Sequence, residues 1–170
     1  MRIHAVAMAA ALAMSSASLT STAHAADAGQ SPFLQPASTG SCVFKKTEYA
    51  ASTSHDDSTS KTFVNLGDGG SITFRQAKSG CVAGTFFANA GNDVTNDNVA
   101  LQVLLDNTPC NPLVNDYFFA NSGVDFSSHS AGFFCGASVP AGTHMIQVQY
   151  ASHAGGEVEF FQRTLVVDHR

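Results

Sequence analysis

Several groupings of side chains in this 170-residue sequence have the chemistry of a site. Ser127-Ser128-His129-Ser130 holds the hydroxyl and imidazole that nucleophilic acyl transfer uses. Glu157 and Glu159 are spaced to share one face of a strand, as an acid and base acting on a glycosidic bond would need. Asn92-Asp93-Val94-Thr95-Asn96-Asp97-Asn98 is dense in the oxygen ligands that calcium prefers, with Asp93 and Asp97 as the calcium candidates. His55-Asp56-Asp57 is a smaller cluster of metal-ligand types.

Each grouping also has a plainer reading. Consecutive side chains on a strand point apart, so the serine-rich run reads as a polar loop. The Asx-rich run departs from an EF-hand, because counting from Asp93 puts Asn98 where Gly is needed and Leu104 where Glu is needed. It reads more simply as an Asx-rich turn, with a looser calcium site as the alternative. His55-Asp56-Asp57 lies among serines and threonines, as in a surface loop. His144 falls on the inward phase of a strand, where it would fill the edge of the core and bond a loop carbonyl. A catalytic role would need a carboxylate, with Glu157 or Glu159 on the next strand as its source.

The sequence contains no G-x-S-x-G, H-E-x-x-H, G-x-x-x-x-G-K or G-x-G-x-x-G, the common serine-hydrolase, zinc-protease and nucleotide signatures. Trp is absent and Tyr49, Tyr117 and Tyr150 are the only tyrosines, with Tyr150 on a buried phase, so a flat aromatic platform for stacking sugars is poorly supplied, and sugar recognition by polar loops stays open. Lys45-Lys46 is the only basic dipeptide, and the chain is net acidic, which argues against a nucleic-acid partner. No cofactor is expected beyond the calcium alternative.

The elements that position these residues begin after an export signal. A basic start at Arg2, an apolar run from Ala5 to Met14 and the A-x-A site Ala23-His24-Ala25 read as a signal peptide over residues 1–25, too short in its apolar part to span a bilayer. Its removal leaves seven Lys and Arg against thirteen Asp and Glu. Residues 26–40, with two prolines and two glycines, read as a flexible leader, and residues 41–170 as one domain with no membrane span. Cys42, Cys81, Cys110 and Cys135 all lie in the exported part. Disulfides fit them better than zinc, whose structural sites use closely spaced ligand pairs. Three pairings are open, of which Cys42–Cys81 with Cys110–Cys135 is the simplest.

Within the domain the signals are those of strands. Val99, Leu101, Val103 and Leu105 alternate, as do His144, Ile146, Val148 and Tyr150. Residues 62–66 and 71–75 flank Gly67-Asp68-Gly69-Gly70 and predict a hairpin, and Gly155-Gly156 predicts another. Stretches 80–89, 132–138 and 157–167 bring the total to eight or nine strands. These give an all-β, two-sheet antiparallel β-sandwich. Paired phenylalanines such as Phe86-Phe87, Phe118-Phe119, Phe133-Phe134 and Phe160-Phe161 should turn one ring inward and one outward, the outer ring covered by loops or kept for a partner.

The turn Val139-Pro140-Ala141-Gly142-Thr143-His144, its alternating strand to Tyr150, the glycines Gly155-Gly156 and the run Arg163-Thr164-Leu165-Val166-Val167 resemble the closing hairpin of small secreted bacterial sandwich proteins, largely uncharacterised. Cys81-Val82-Ala83-Gly84-Thr85-Phe86-Phe87-Ala88 and Val103-Leu104-Leu105-Asp106 resemble their central strands, so the likeness runs over about residues 62–168. The sandwich is similar in outline to jelly rolls of the C1q and tumour-necrosis-factor type, which implies a trimer, although the chain lacks a Gly-X-Y repeat. No catalytic residue carries over. The expected function is therefore a secreted or periplasmic, non-enzymatic module that binds a protein, a surface polymer or copies of itself. The alternatives are a secreted hydrolase of glycans or esters and a calcium-stabilised adhesive domain.

Overall fold

The structure, a computed structural model, describes residues 42–95, 97–112, 118–120 and 123–170. The predicted signal peptide and leader, Asn96 and Tyr117 lie outside the described residues. Among the described residues there are eleven strands: β1 Lys46–Ser52, β2 Asp56–Ser58, β3 Val64–Asn65, β4 Ser71–Gln76, β5 Gly80–Asn92, β6 Val99–Leu105, β7 Thr108–Pro109, β8 Phe118–Ala120, β9 Gly123–Val139, β10 Gly142–Ser152 and β11 Val158–His169. One sheet runs β1-β11-β5-β9 with β2 also on β11, and the other runs β3-β10-β6-β7 with β4 on β10 and β8 on β6.

The count exceeds eight or nine because three edges are broken. β1 and β2 lie end to end along β11, β3 and β4 along β10, and β7 and β8 along β6. Joined across the breaks, they leave four strands in each sheet and the double Greek key of a jelly roll.

Two predicted hairpins are corrected by this topology. Gly67 to Gly70 does not fold β4 back on β3. Leu66 N–H donates to Val148 O and Val148 N–H donates to Gly70 O, so one edge strand leaves β10 for three residues and returns to it. Gly155-Gly156 carries the chain from β10 in one sheet to β11 in the other. Turn residues mark where a chain bends, but the sheet that receives the next strand is settled by which apolar faces must meet. Among the described residues β6 to β7 is a tight hairpin, turning on Asp106 and Asn107 at φ 50° and 66°, the geometry of a two-residue primed turn.

The core lies between the sheets and follows the alternation. Val99, Leu101, Val103 and Leu105 of β6 are buried, as are His144, Ile146, Val148 and Tyr150 of β10. Phe86, Phe119, Phe160 and Tyr150 pack ring on ring, with centroids 4.9 Å to 6.2 Å apart. The disulfides Cys42–Cys81 and Cys110–Cys135 anchor the segment before β1 to β5 and the end of β7 to β9.

The inward phase of β11 slips once. Val158 and Phe160 are buried, then Arg163, Leu165 and Val167, because a bulge between Phe161 and Thr164 inserts Gln162 at φ 41°. The slip turns Arg163 into the core, where it is 1% exposed. Its Nε donates to Asp68 O, Nη1 to Ser54 O and Phe160 O, and Nη2 to Ser54 Oγ, with Asp56 Oδ2 at 3.6 Å. Four hydrogen bonds thus engage the guanidinium, and the Asp56 carboxylate faces it as an ion pair. Asp56 also accepts from Gly67 N–H at 2.5 Å and from Tyr150 Oη–H at 3.0 Å. Burial, then the Asp56 charge, push the Tyr150 hydroxyl well above its ordinary range and keep it a donor. Arg163→Ala would leave Asp56 and three carbonyls without their cation. We expect a loss of about 3–5 kcal/mol in urea unfolding; a loss under about 1 kcal/mol would show that the clasp is not what holds the broken edges.

Candidate functional site

The outer face of the β1-β11-β5-β9 sheet gathers aromatic rings that the core does not use. Each of the outward partners Phe87 and Phe161 follows an inward Phe86 or Phe160, so alternation alone sends it to this face. Tyr49 is 78% exposed, Phe126 47% and Phe87 45%. Phe161 is braced by His55, whose ring stacks on it at 4.5 Å and 4°, and by Phe126, which meets it edge-on at 5.0 Å. His55 Nε2 lies 3.5 Å from Glu159 Oε1. Phe126 lies flat over Gly91: a Cβ there would sit 2.8 Å from the ring, so the glycine makes room for it. Between the rings runs a polar ladder. Ser128 Oγ donates to Asn89 Oδ1 at 2.6 Å, and Asn89 Nδ2 donates to Gln162 Oε1 at 2.8 Å, joining β9, β5 and β11. Beside the ladder, where the gap between β1 and β2 faces the bulge, an open depression of about 620 Å³ is lined by Ser52, Thr53, Gln162 and Thr164.

The predicted chemistry is scattered. Ser127-Ser128-His129-Ser130 belongs to β9 and is not a loop, because its backbone pairs with Phe87 to Ala90 of β5. Residues two apart share a face, and Ser127 Oγ lies 2.6 Å from His129 Nε2. Burial against Phe119 lowers the His129 pKa, so the ring is neutral near pH 7. His144 bonds the Pro140 carbonyl, as its position predicted, at 3.0 Å. It also finds a carboxylate, though from Asp106 in the β6–β7 turn, at 2.6 Å. Burial works against ionisation of Asp106, and the hydrogen bonds from His144 and Met145 N–H outweigh it, holding the carboxyl below its usual range. No hydrogen bond or ion pair joins Glu157 or Glu159 to His129 or His144 among the described residues. His55-Asp56-Asp57 is no plain surface loop either, since Asp56 sits half-buried in the Arg163 clasp.

Asp97 and Asp93 join two crossings between the sheets. Asp97 is fully buried, and its carboxylate accepts from Asn98 N–H, Ala154 N–H, Gly156 N–H and Ser152 Oγ–H at 2.6–2.8 Å. Asp93 Oδ1 accepts from Glu157 N–H at 2.7 Å. Among the described residues no group of three or more His, Cys, Asp or Glu side chains is placed to hold a metal ion. Donors around Asp97 are what an anion requires, and they clasp the β5–β6 connection to the β10–β11 connection. Burial raises the Asp97 pKa, but these hydrogen bonds prevail and hold the carboxyl far below its ordinary value. Because the folded pKa lies below the unfolded value of about 3.9, the stabilisation is complete above about pH 4 and drains away as pH falls below it. Asp97→Asn should cost about 3 kcal/mol near neutral pH and should flatten the fall in urea midpoint below about pH 4. A variant that keeps the parent's acid slope would contradict this assignment.

No protein-family model matches the sequence, and no curated protein matches it. Among solved structures the chain is similar to the VP2 subviral particle of infectious bursal disease virus, at 13% identity and a TM-score of 0.49 over 81% of this chain and 36% of that one. It is also similar to the CBM36-1 domain of a multidomain xylanase from the hindgut metagenome of Trinervitermes trinervoides, at 11% identity and a TM-score of 0.38 over 71% and 96%. A third likeness is to the C-terminal CBM6 of LamC from Zobellia galactanivorans, at 13% and 0.30 over 71% and 98%. The chain thus spans about a third of the viral protein and nearly the whole of each carbohydrate-binding module.

Proposed function

We propose that this chain is an exported, non-catalytic binding module: a signal peptide over residues 1–25, a leader over 26–40 and one sandwich domain that holds an external polymer or protein on the outer face of its β1-β11-β5-β9 sheet. The observation that carries this reading is the set of outward rings, Tyr49, Phe87 and Phe126, on a sheet face that no other described element covers. Two disulfides suit an oxidising compartment, and no helix among the described residues is long and apolar enough to cross a membrane. A trimer of the C1q type is the self-associating form of the same reading. The test is retention of the fluorescently labelled domain on cell-envelope material of the source organism. Saturable retention should be lost in Tyr49→Ala/Phe87→Ala and kept in Met145→Ala, whose side chain is exposed on the other sheet. Equal retention by both variants would remove the face from the proposal.

A hydrolytic reading draws on one contact, Ser127 Oγ to His129 Nε2. A neutral imidazole there has the geometry of a general base, but no described carboxylate orients its other nitrogen. A fluorophosphonate probe should leave Ser127 unlabelled, and stoichiometric labelling that His129→Ala abolishes would replace binding with acyl transfer.

A further inference from the structure

We infer that the occupant of the outer face is a single extended chain of a neutral polysaccharide, an assignment that rests on the binding reading above and gives its ligand a chemistry. Three observations point to it. The rings form a line rather than a cluster. Tyr49 pairs with Val166, which pairs with Thr85 of β5, while Phe126 covers Gly91, six residues farther along β5. The line runs diagonally from β1 at one edge of the sheet to β9 at the other, about 20 Å along the strands at about 3.4 Å per residue and about 14 Å across them at about 4.8 Å per strand, with Phe87 of β5 within it. That span suits a row of sugar rings laid obliquely across the sheet, each offering the apolar C–H face that stacks on an aromatic ring.

Hydrogen-bonding groups run beside the rings. The Ser128-Asn89-Gln162 ladder crosses the face where Phe87 gives way to Phe161, and it presents amide and hydroxyl groups to the rim of sugar hydroxyls. It is pre-set. Gln162 is held at φ 41° by the bulge that buries Arg163, and Phe126 is pinned between Gly91 and Phe161, so little ordering remains to oppose binding.

The charge pattern selects a neutral chain. Between the two ends of the line the outward positions are Thr85, Phe87, Asn89, Thr164 and Val166, all uncharged. Carboxylates stand at either end, Asp168 beside Thr47, and Glu159 opposite Asp57. Arg163 is turned into the core, engaged by Asp68, Ser54, Phe160 and Asp56, and is not offered to this face. A uronate or nucleic-acid chain would meet carboxylates and no counter-charge. A neutral glycan meets stacking faces and amides.

The test is affinity electrophoresis of the domain in gels containing a soluble mixed-linkage β-glucan, xylan or galactomannan, with alginate as the polyanionic control. Retardation is expected in at least one neutral gel and not in alginate. Phe87→Ala and Tyr49→Ala should each weaken it about tenfold or more with an unchanged melting temperature, Asn89→Ala should weaken it less, and Phe87→Tyr should preserve it. Retardation by alginate alone, or neutral retardation that the ring variants leave intact, overturns the assignment. No retardation in any gel also overturns it. In that case, envelope retention that is still lost in Tyr49→Ala/Phe87→Ala keeps the face as a binding surface for another partner, and a light-scattering mass of a dimer or trimer that Phe87→Asp reduces to the monomer names that partner as a second copy. If the envelope retention is also insensitive to the ring variants, both readings fall.

Discussion

A guanidinium sealed inside a β-sandwich must find acceptors and a counter-charge, and in this chain they come from the places where the edge strands break. Arg163 takes its acceptors from the gap between β1 and β2 at Ser54, from the excursion between β3 and β4 at Asp68 and from its own strand at Phe160, and its counter-charge from Asp56. The edge of each sheet yields its ladder at the place where its backbone oxygens turn toward the cation. Lysine could not serve here, because three donors on one nitrogen cannot reach acceptors on three sides. Asp56 extends the clasp across the core through Tyr150 and Gly67, so one buried charge ties an edge of each sheet to the other.

At the sheet crossings the same logic runs with the sign reversed. Asp97 is an anion surrounded by four N–H and O–H donors, two of them from the β10–β11 connection, and Gly156 has no side chain because Asn92 and Asp97 occupy that space. Charged residues make up only 12% of the sequence, and two of them are spent inside as hubs. The outer face inherits their rigidity. The bulge that delivers Arg163 inward delivers Gln162 outward in the same step, so the polar ladder is a by-product of how the core is closed.

The sequence made legible what local periodicity controls. The alternation in β6 and β10, the inward member of each described phenylalanine pair and the position of His144 follow from a two-residue repeat that needs no knowledge of partners. The neighbour pairing of cysteines held because each bridge joins segments close in the chain. The two misread hairpins failed because in a jelly roll nearly every connection changes sheets, and turn chemistry at Gly67-Asp68-Gly69-Gly70 or Gly155-Gly156 is silent on that choice. Arg163 left no readable trace: apolar residues fall at 158, 160 and 161, then at 165, 166 and 167, so both phases are occupied and the bulge that turns the arginine inward is hidden. Alternation sends one ring of each phenylalanine pair outward but leaves open whether a loop or a partner covers it, and only the three-dimensional arrangement brings Phe87 together with Tyr49 and Phe126 on one open face.

The position of β11 has a consequence for the order in which the molecule can form. It is hydrogen-bonded on both sides, with β1 and β2 along one edge and β5 along the other, and partners such as Thr47 and Asp168 are 121 residues apart. A chain that emerges N-terminus first, from a ribosome or through an export channel, therefore presents β1, β2 and β5 long before the strand that joins them. Until residues 158–169 arrive, that sheet has no middle and Ser54, Asp56 and Asp68 have no cation. The sandwich cannot close before that strand arrives, so the segment ahead of it stays threadable until then.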